Sequence, residues 1–190
     1  MKIAVDKNQK VSKHTVKHEQ LKALGHELVD IPSPVGDYFE ITQEIEEVIK
    51  RRGENLKKMD LIGLISTSVD TKRDVSELYS CLIQGHKRFS DSCFLAKNNN
   101  IKLFILVENK NGFKNVEDIK EWKNPQYLRY WKTKKKAERM GATPPQPPAS
   151  NIQLIKIMHS MSRDYGVEFK FCTPDEAGER IVEILGGQHD

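Results

Sequence analysis

Short apolar runs rich in β-branched residues alternate along this chain with stretches in which apolar side chains recur every three or four positions. The first pattern predicts strands and the second amphipathic helices. Residues 2–6 read as a strand ending on Asp6, 7–13 as polar loop, and 15–24 as a helix closed by Gly25. Residues 26–31 alternate weakly as a second strand, which the run Pro32-Ser33-Pro34 breaks. Residues 35–41 resume as a third strand carrying Asp37. Ile41, Ile45, Val48 and Ile49 mark a helix running to Gly53, and a polar connector follows as far as Asp60. The apolar run at 61–67 predicts a buried strand leading into Asp70 and Lys72. Val75, Leu78, Tyr79, Leu82 and Ile83 then recur at helical spacing up to Gly85, and 86–97 read as another helix.

Residues 101–107, Ile-Lys-Leu-Phe-Ile-Leu-Val, make the most apolar run, a buried strand with Glu108 at its end. Helices are expected over 116–122 and 128–140. Between them and the C-terminal part lies Thr-Pro-Pro-Gln-Pro-Pro at 143–148, which must be extended because proline fixes φ and removes a donor. Ser150 with Gln153 opens a helix by a capping box, with Leu154, Met158 and Met161 on one face and Gly166 at its end. Residues 167–172 form the last strand. Thr173, Pro174 and Glu176 cap a closing helix that buries Ile181, Ile184 and Leu185 and stops at Gly186. No internal repeat is present. Strands interleaved with helices predict an α/β fold, and 190 residues fit one domain.

Composition changes this picture in one respect. A hydrophobic content of 37% allows a lean core, and a net charge of +4 alone decides little. The charge is concentrated, however. Residues 110–139 hold ten Lys or Arg against four acids, six net positive charges, so the remainder of the chain is at −2. An acidic polymer is the natural partner for such a segment. Cys81, Cys93 and Cys172 are odd in number and widely spaced in apolar contexts, which reads as reduced thiols and not as disulfides or a zinc cluster. Asp6 and Lys7 interrupt any signal-peptide core, and no run approaches a membrane span. These features predict a soluble, intracellular chain, cytoplasmic or nucleoid-associated, with no membrane partner.

The candidate chemistry centres on Asp70 and Lys72. Two residues apart on a strand, their side chains share a face. Asp6, Asp37 and Asp70 all stand at strand ends, and carboxylates are the natural ligands of Mg²⁺. Together they could hold an ion that binds a phosphate and acidifies an attacking water, with Lys72 neutralising charge in the transition state. Aspartates also end strands because they cap turns, and a solvated ion pair is the bland account of Asp70 and Lys72.

The order of motifs then points to a family. Ile-Ala-Val-Asp6, Gly36-Asp37-Tyr38, Val69-Asp70-Thr71-Lys72 with Glu77-Leu78, Lys87-Arg88-Phe89 and Phe104-Ile105-Leu106-Val107-Glu108 resemble the XPF-type nuclease domain. That domain belongs to the restriction-endonuclease-like, PD-(D/E)XK superfamily. The resemblance runs from residue 2 to about 109 and resumes over 150–187. It implies a mixed central sheet flanked by helices and a Mg²⁺-dependent endonuclease, with Mn²⁺ as a substitute, acting on branched or flapped DNA in repair or recombination. It further implies Asp37, Asp70 and Lys72 as catalytic residues, Asp6, Asp37 and Asp70 as metal ligands, and Glu77 and Glu108 in support. Arg73 and Arg88 would contact DNA, and relatives of this type form homodimers.

Several positions depart from the family pattern. Asn8-Gln9 replaces Arg-Glu, Asp70-Thr71-Lys72 replaces Glu-Arg-Lys, the later acid is shifted by one to Glu77, and Asp91-Ser92 replaces Glu-Gln. Segments 42–60 and 110–149 have no counterpart, and the tandem helix-hairpin-helix module of many relatives is missing. A DNA-binding protein of the same fold that has lost cleavage, and a sequence-specific restriction-type enzyme, are the competing functions. In the basic insert, Trp122, Tyr127, Tyr130 and Trp131 are interleaved with Lys132, Lys134, Lys135 and Lys136. Either the segment grips DNA, with aromatics stacked on unpaired bases, or its aromatics pack on the domain while the lysines stay solvated. His14 and His18 are spaced i, i+4 but lack an acid or cysteine partner, so they read as surface histidines.

Overall fold

The computed structural model describes residues 1–8 and 11–186, the side chains of 11–13 excepted. Six strands form one sheet: β1 (Lys2–Asp6), β2 (Glu27–Ile31), β3 (Tyr38–Glu40), β4 (Thr67–Lys72), β5 (Lys102–Glu108) and β6 (Glu168–Cys172), in the order β2-β1-β3-β4-β5-β6. Pairs β1–β2, β4–β5 and β5–β6 are parallel, whereas β3 is antiparallel to both β1 and β4. The sheet is therefore mixed, as expected from the resemblance. Because β3 alone runs the other way, its start lies on the sheet edge where β1 and β4 end.

Alternation along the strands divides the core between the two faces. Ile3, Val5, Tyr38, Val69, Phe104 and Leu106 pack under α1 (Val11–Ala23) and α7 (Ala177–Gly186). Ala4, Phe39, Leu103, Ile105 and Val107 face the other layer. That layer holds α2 (Gln43–Arg52), α3 (Val75–Tyr79), α4 (His86–Asn98) and α6 (Asn151–Tyr165). β5 is buried on both faces beyond its first residue, which is why it is the most continuous apolar run.

Local signals explain the helix ends. Thr42 caps α2, whose first turn is acidic and last turn basic, matching the helix dipole. Ser150 and Gln153 form the expected capping box on α6, and Gly166 closes it in the left-handed region at φ 72°.

Two expectations are corrected. The apolar run at 61–67 is not a strand: residues 58–61 form a 3₁₀ turn whose Leu61 plugs the core, and the strand begins only at Thr67. Apolar content there reflects loop side chains folded inward, whereas β4 looks polar because alternate residues leave the core for a cleft. The helix after Asp74 is also irregular, since α3 passes into a π turn over Ser80–Gln84. Such turns mark insertions in helices and often lie at functional sites.

The basic insert leaves from the end of β5 and returns at α6. Its first part is rooted: Ile119 and Trp122 are buried, and Trp122 meets Tyr79 with ring centroids 5.7 Å apart. Its second part, α5 (Pro125–Arg139), buries no residue, and residues 143–148 form neither helix nor strand.

Lys17 of α1 and Glu108 at the end of β5 form an ion pair with side chains only 4% and 8% exposed. Removing one partner of a buried pair strands the other charge in low dielectric, a loss of about 3–5 kcal/mol. Glu108→Ala should lose that much stability in urea unfolding, and Lys17→Met/Glu108→Leu together should recover most of it; an unchanged midpoint in Glu108→Ala would contradict the pairing.

Candidate active site

The edge where β1 and β4 end and β3 begins opens into a cleft of about 520 Å³. Asp6, Asp37, Asp70, Lys72, Arg73, Glu77 and Arg88 all line it. The main chain ties these positions together. Asp6 N–H donates to the Asp37 carbonyl at 2.9 Å, and Asp37 N–H donates to the Val69 carbonyl at 2.8 Å. Each strand thus delivers its aspartate to the same edge.

Gly36 makes the entry into β3 possible. It sits at φ +71°, and a Cβ there would lie 2.3 Å from Ser68 Oγ and 3.1 Å from the Val69 carbonyl oxygen. Ser68, fully buried, donates from its hydroxyl to the carbonyls of Val35 at 2.7 Å and Tyr38 at 3.2 Å, bracketing the turn. Asp37 then accepts at Oδ2 from Thr71 N–H at 2.8 Å and from the Thr71 hydroxyl at 2.7 Å. Thr71, where the family has arginine, thereby orients the neighbouring carboxylate.

Asp70 and Lys72 lie on one face of β4, and the Lys72 ammonium donates to Asp70 Oδ1. Lys72 is only 7% exposed, while the Asp70 side chain is 23% exposed. Burial pushes the Asp70 carboxyl up from its ordinary range; the Lys72 charge opposes this, and the Asp37 carboxylate adds to it. Burial disfavours the charged form of Lys72, but Asp70 and Asp37 outweigh it and hold the ammonium more firmly protonated than usual. The two shifts differ in origin: burial raises Asp70, with Asp37 adding to it, whereas the two neighbouring carboxylates raise Lys72.

That donor set fits a divalent cation. Asp37 Oδ1 and Asp70 Oδ2 have no hydrogen-bond donor among the described residues, and an ion between them would relieve the carboxylate repulsion. Asp6 stands apart. Its Oδ1 accepts from Asn8 Nδ2 at 3.1 Å and from Ser33 N–H at 3.3 Å, a turn-capping role. Among the described residues no three His, Cys, Asp or Glu side chains close into a ready-made metal cluster, so the three-aspartate set does not converge as the strand ends suggested.

The remaining candidates separate clearly. Glu77 Oε2 accepts from Arg73 N–H at 3.0 Å, bracing the chain just ahead of Asp74, the N-cap of α3, while lining the cleft. Glu108 does not line the cleft; it is engaged with Lys17, which does. Lys132, Lys134, Lys135 and Lys136 lie on α5, outside the cleft. Gln9 falls outside the described residues. Sequence reading missed Lys17 and His14 as cleft residues. His14 and His18 are not plain surface histidines, because the buried Tyr38 hydroxyl sits 3.3 Å from His14 Nδ1 and 3.1 Å from His18 Nε2. Burial holds both imidazoles below the ordinary histidine range. The Gly-Asp-Tyr motif was the available signal, but it does not reveal what the tyrosine touches. The three cysteines are free thiols, as expected, and burial pushes Cys93 and Cys172 up to about 12.

The mixed six-stranded sheet flanked by helices is an α/β fold similar to that of solved XPF structures. The chain is similar to XPF from Aeropyrum pernix solved in complex with DNA, with a TM-score of 0.54 and 17% identity over 97% of this chain and 63% of that one. A second structure of XPF from the same organism gives a TM-score of 0.51 and 16% identity, covering 98% and 60%. The chain spans less than two thirds of the length of either. No protein-family model matches it, and no curated protein does. Among the described residues no helix is long and apolar enough to cross a membrane.

Two outcomes follow from this geometry. Gly36→Ala should destabilise the chain by at least about 1–3 kcal/mol, because the residue would be strained and would displace Ser68; urea midpoints test this, and a neutral substitution would refute the close approach. A raised Asp70 pKa stabilises the fold below the ordinary carboxyl range, and that contribution disappears as pH rises through the folded value. In EDTA, Asp70→Asn should therefore gain stability relative to wild type as pH rises above the ordinary aspartate value of about 4. A pH-independent difference in urea midpoint would contradict the raised Asp70 pKa.

Proposed function

We propose that the chain is a divalent-cation-dependent DNA endonuclease that hydrolyses phosphodiester bonds, with a preference for branched or flapped DNA. The observation that carries this reading is the pairing of Asp37 and Asp70 with a buried, protonated Lys72 at one edge of an XPF-type sheet. Asp37 and Asp70 would hold the ion, with Asp6 supporting the cleft wall beside them. Mg²⁺, or Mn²⁺ in its place, would supply positive charge for the scissile phosphate and a water of lowered pKa.

The chain's own residues do the rest. Lys72 stays charged and neutralises the negative charge that builds on the phosphoryl oxygens. Thr71 keeps the Asp37 carboxylate turned toward the cleft through two hydrogen bonds. Arg73 and Arg88, exposed at the rim, contact flanking phosphates, which positions the backbone without reading sequence. Glu77 supports the site by accepting from Arg73 N–H and so holding the segment that leads from β4 into α3. A homodimer is compatible with this role, as in relatives of this type.

A second reading, a DNA-binding protein of this fold that does not cut, is favoured by one observation. Asn8 stands where the family has a basic residue and engages the Asp6 carboxylate itself.

Cleavage of labelled duplex, single-stranded, flap and four-way DNA with Mg²⁺ or Mn²⁺ separates the two. Metal-dependent cutting of branched substrates is expected, abolished in Asp70→Ala and reduced about 10²–10³-fold in Lys72→Ala. Either cation should also raise the wild-type melting temperature at pH 7, and Asp70→Asn should remove that increment. Tight binding without cutting in wild type would sink the enzyme, and cutting that survives Asp70→Ala would sink the assigned site.

A further inference from the structure

Among the described residues, helix α5 meets the proline segment and the π turn through the side that carries Tyr127, Arg129, Tyr130 and Thr133. Arg129, Tyr130 and Thr133 line a small cavity shared with Tyr79, Ile83 and the proline segment. Tyr127 donates from its hydroxyl to the Pro148 carbonyl at 3.3 Å. At helical spacing the opposite side carries Leu128, Trp131, Lys132 and Lys135. Leu128 is 69% exposed and Trp131 50%. The indole is nonetheless held, with Tyr130 edge-on at a centroid distance of 5.2 Å and Lys134 Nζ 5.0 Å from the ring centre. Six Lys or Arg occupy this helix against one acid, Glu138.

Neither feature serves the fold: apolar side chains left in water and crowded cations both oppose it. An unpaired nucleic-acid strand complements both. Its phosphates neutralise the lysines with release of counterions, and its bases offer π faces to an indole. In a duplex those faces are stacked on one another, so an aromatic side chain within a basic helix face favours unpaired over paired strands.

The helix is also placed for this. The segment formed by α3 and its π turn separates it from the cleft, with Glu77 and Cys81 lining the cleft and Tyr79 and Ile83 lining the α5 side. One further helix width reaches the outer face of α5, about 20 Å from the cleft in all.

We propose that the outer face of α5 binds the unpaired strand of a DNA junction seated in the cleft, with Trp131 stacked on a base and Lys132 and Lys135 on phosphates. This rests on the reading of the cleft as DNA-acting. It accounts for a preference for junctions by a second grip on the arm that has no complement.

The test is binding by the full chain in EDTA, by fluorescence anisotropy of labelled oligo(dT) and of a matched duplex. Trp131→Ala should weaken oligo(dT) binding about tenfold or more while changing duplex binding less than about twofold. Oligo(dT) should quench wild-type tryptophan fluorescence, and the quench should vanish in Trp131→Ala because Trp122 is buried. Lys132→Ala/Lys135→Ala should weaken both ligands and lower the salt slope by about 1–2. Equal losses on both ligands in Trp131→Ala, no loss on either, or binding to anionic lipid vesicles in place of oligo(dT) would overturn the proposal. Cleavage is scored separately. Oligo(dT) binding through Trp131 in a chain that cuts nothing would sink the nuclease alone, and cutting with Trp131→Ala binding unchanged would sink the α5 face alone.

Discussion

The reversed direction of β3 is the constraint on which the site depends. Wedged between β1 and β4, it begins where they end, so positions 6, 37 and 70 reach one edge although they are far apart in the chain. The wedge is possible because Gly36 adopts a left-handed turn in a space that Ser68 leaves no room to share. A buried hydroxyl on β4 thus fixes the start of β3, and the start of β3 fixes Asp37. Thr71 completes the connection by holding that carboxylate from the same strand that carries Asp70 and Lys72.

Charge balance at this edge is deliberately incomplete in the physical sense. One buried lysine faces the carboxylates of Asp70 and Asp37, and burial means that Asp70 is held in its charged form only against its environment. Folding alone would favour a protonated or amide side chain there. The wall of the same cleft carries the opposite design, in which Lys17 and Glu108 satisfy one another one to one. The wall thus holds a matched pair, and the edge an unmatched set.

Much of this was legible in the sequence, and the reasons are specific. β1, β5, α6 and α7 carry clean periodicity and caps, so their existence and type follow from local chemistry. Asp70 and Lys72 sharing a face follows from the two-residue period of a strand. The start of β4 was misplaced because Leu61 and Ile65 are buried from a loop, and burial by a loop has the same composition as burial by a strand. The Lys17–Glu108 pair was not readable, since 91 residues separate its partners. Nor was the role of Tyr38, whose hydroxyl gathers two histidines from another element. The aromatics of the basic insert posed an alternative that resolves by position: Trp122 belongs to the core and Trp131 to the surface.

That division within the insert has a bearing on how such a protein can change over evolutionary time. The excursion is clipped at its base, where Asn109 accepts from Phe113 N–H and Asn151 donates to the Trp122 carbonyl. Ile119 and Trp122 cannot be deleted without opening the core, but residues from 125 to 148 hang beyond that clip on a helix that buries nothing. The distal lobe is therefore an exchangeable part. Lineages could lengthen, recharge or discard it, retuning what the domain holds, while the strand ends that carry the carboxylates stay untouched.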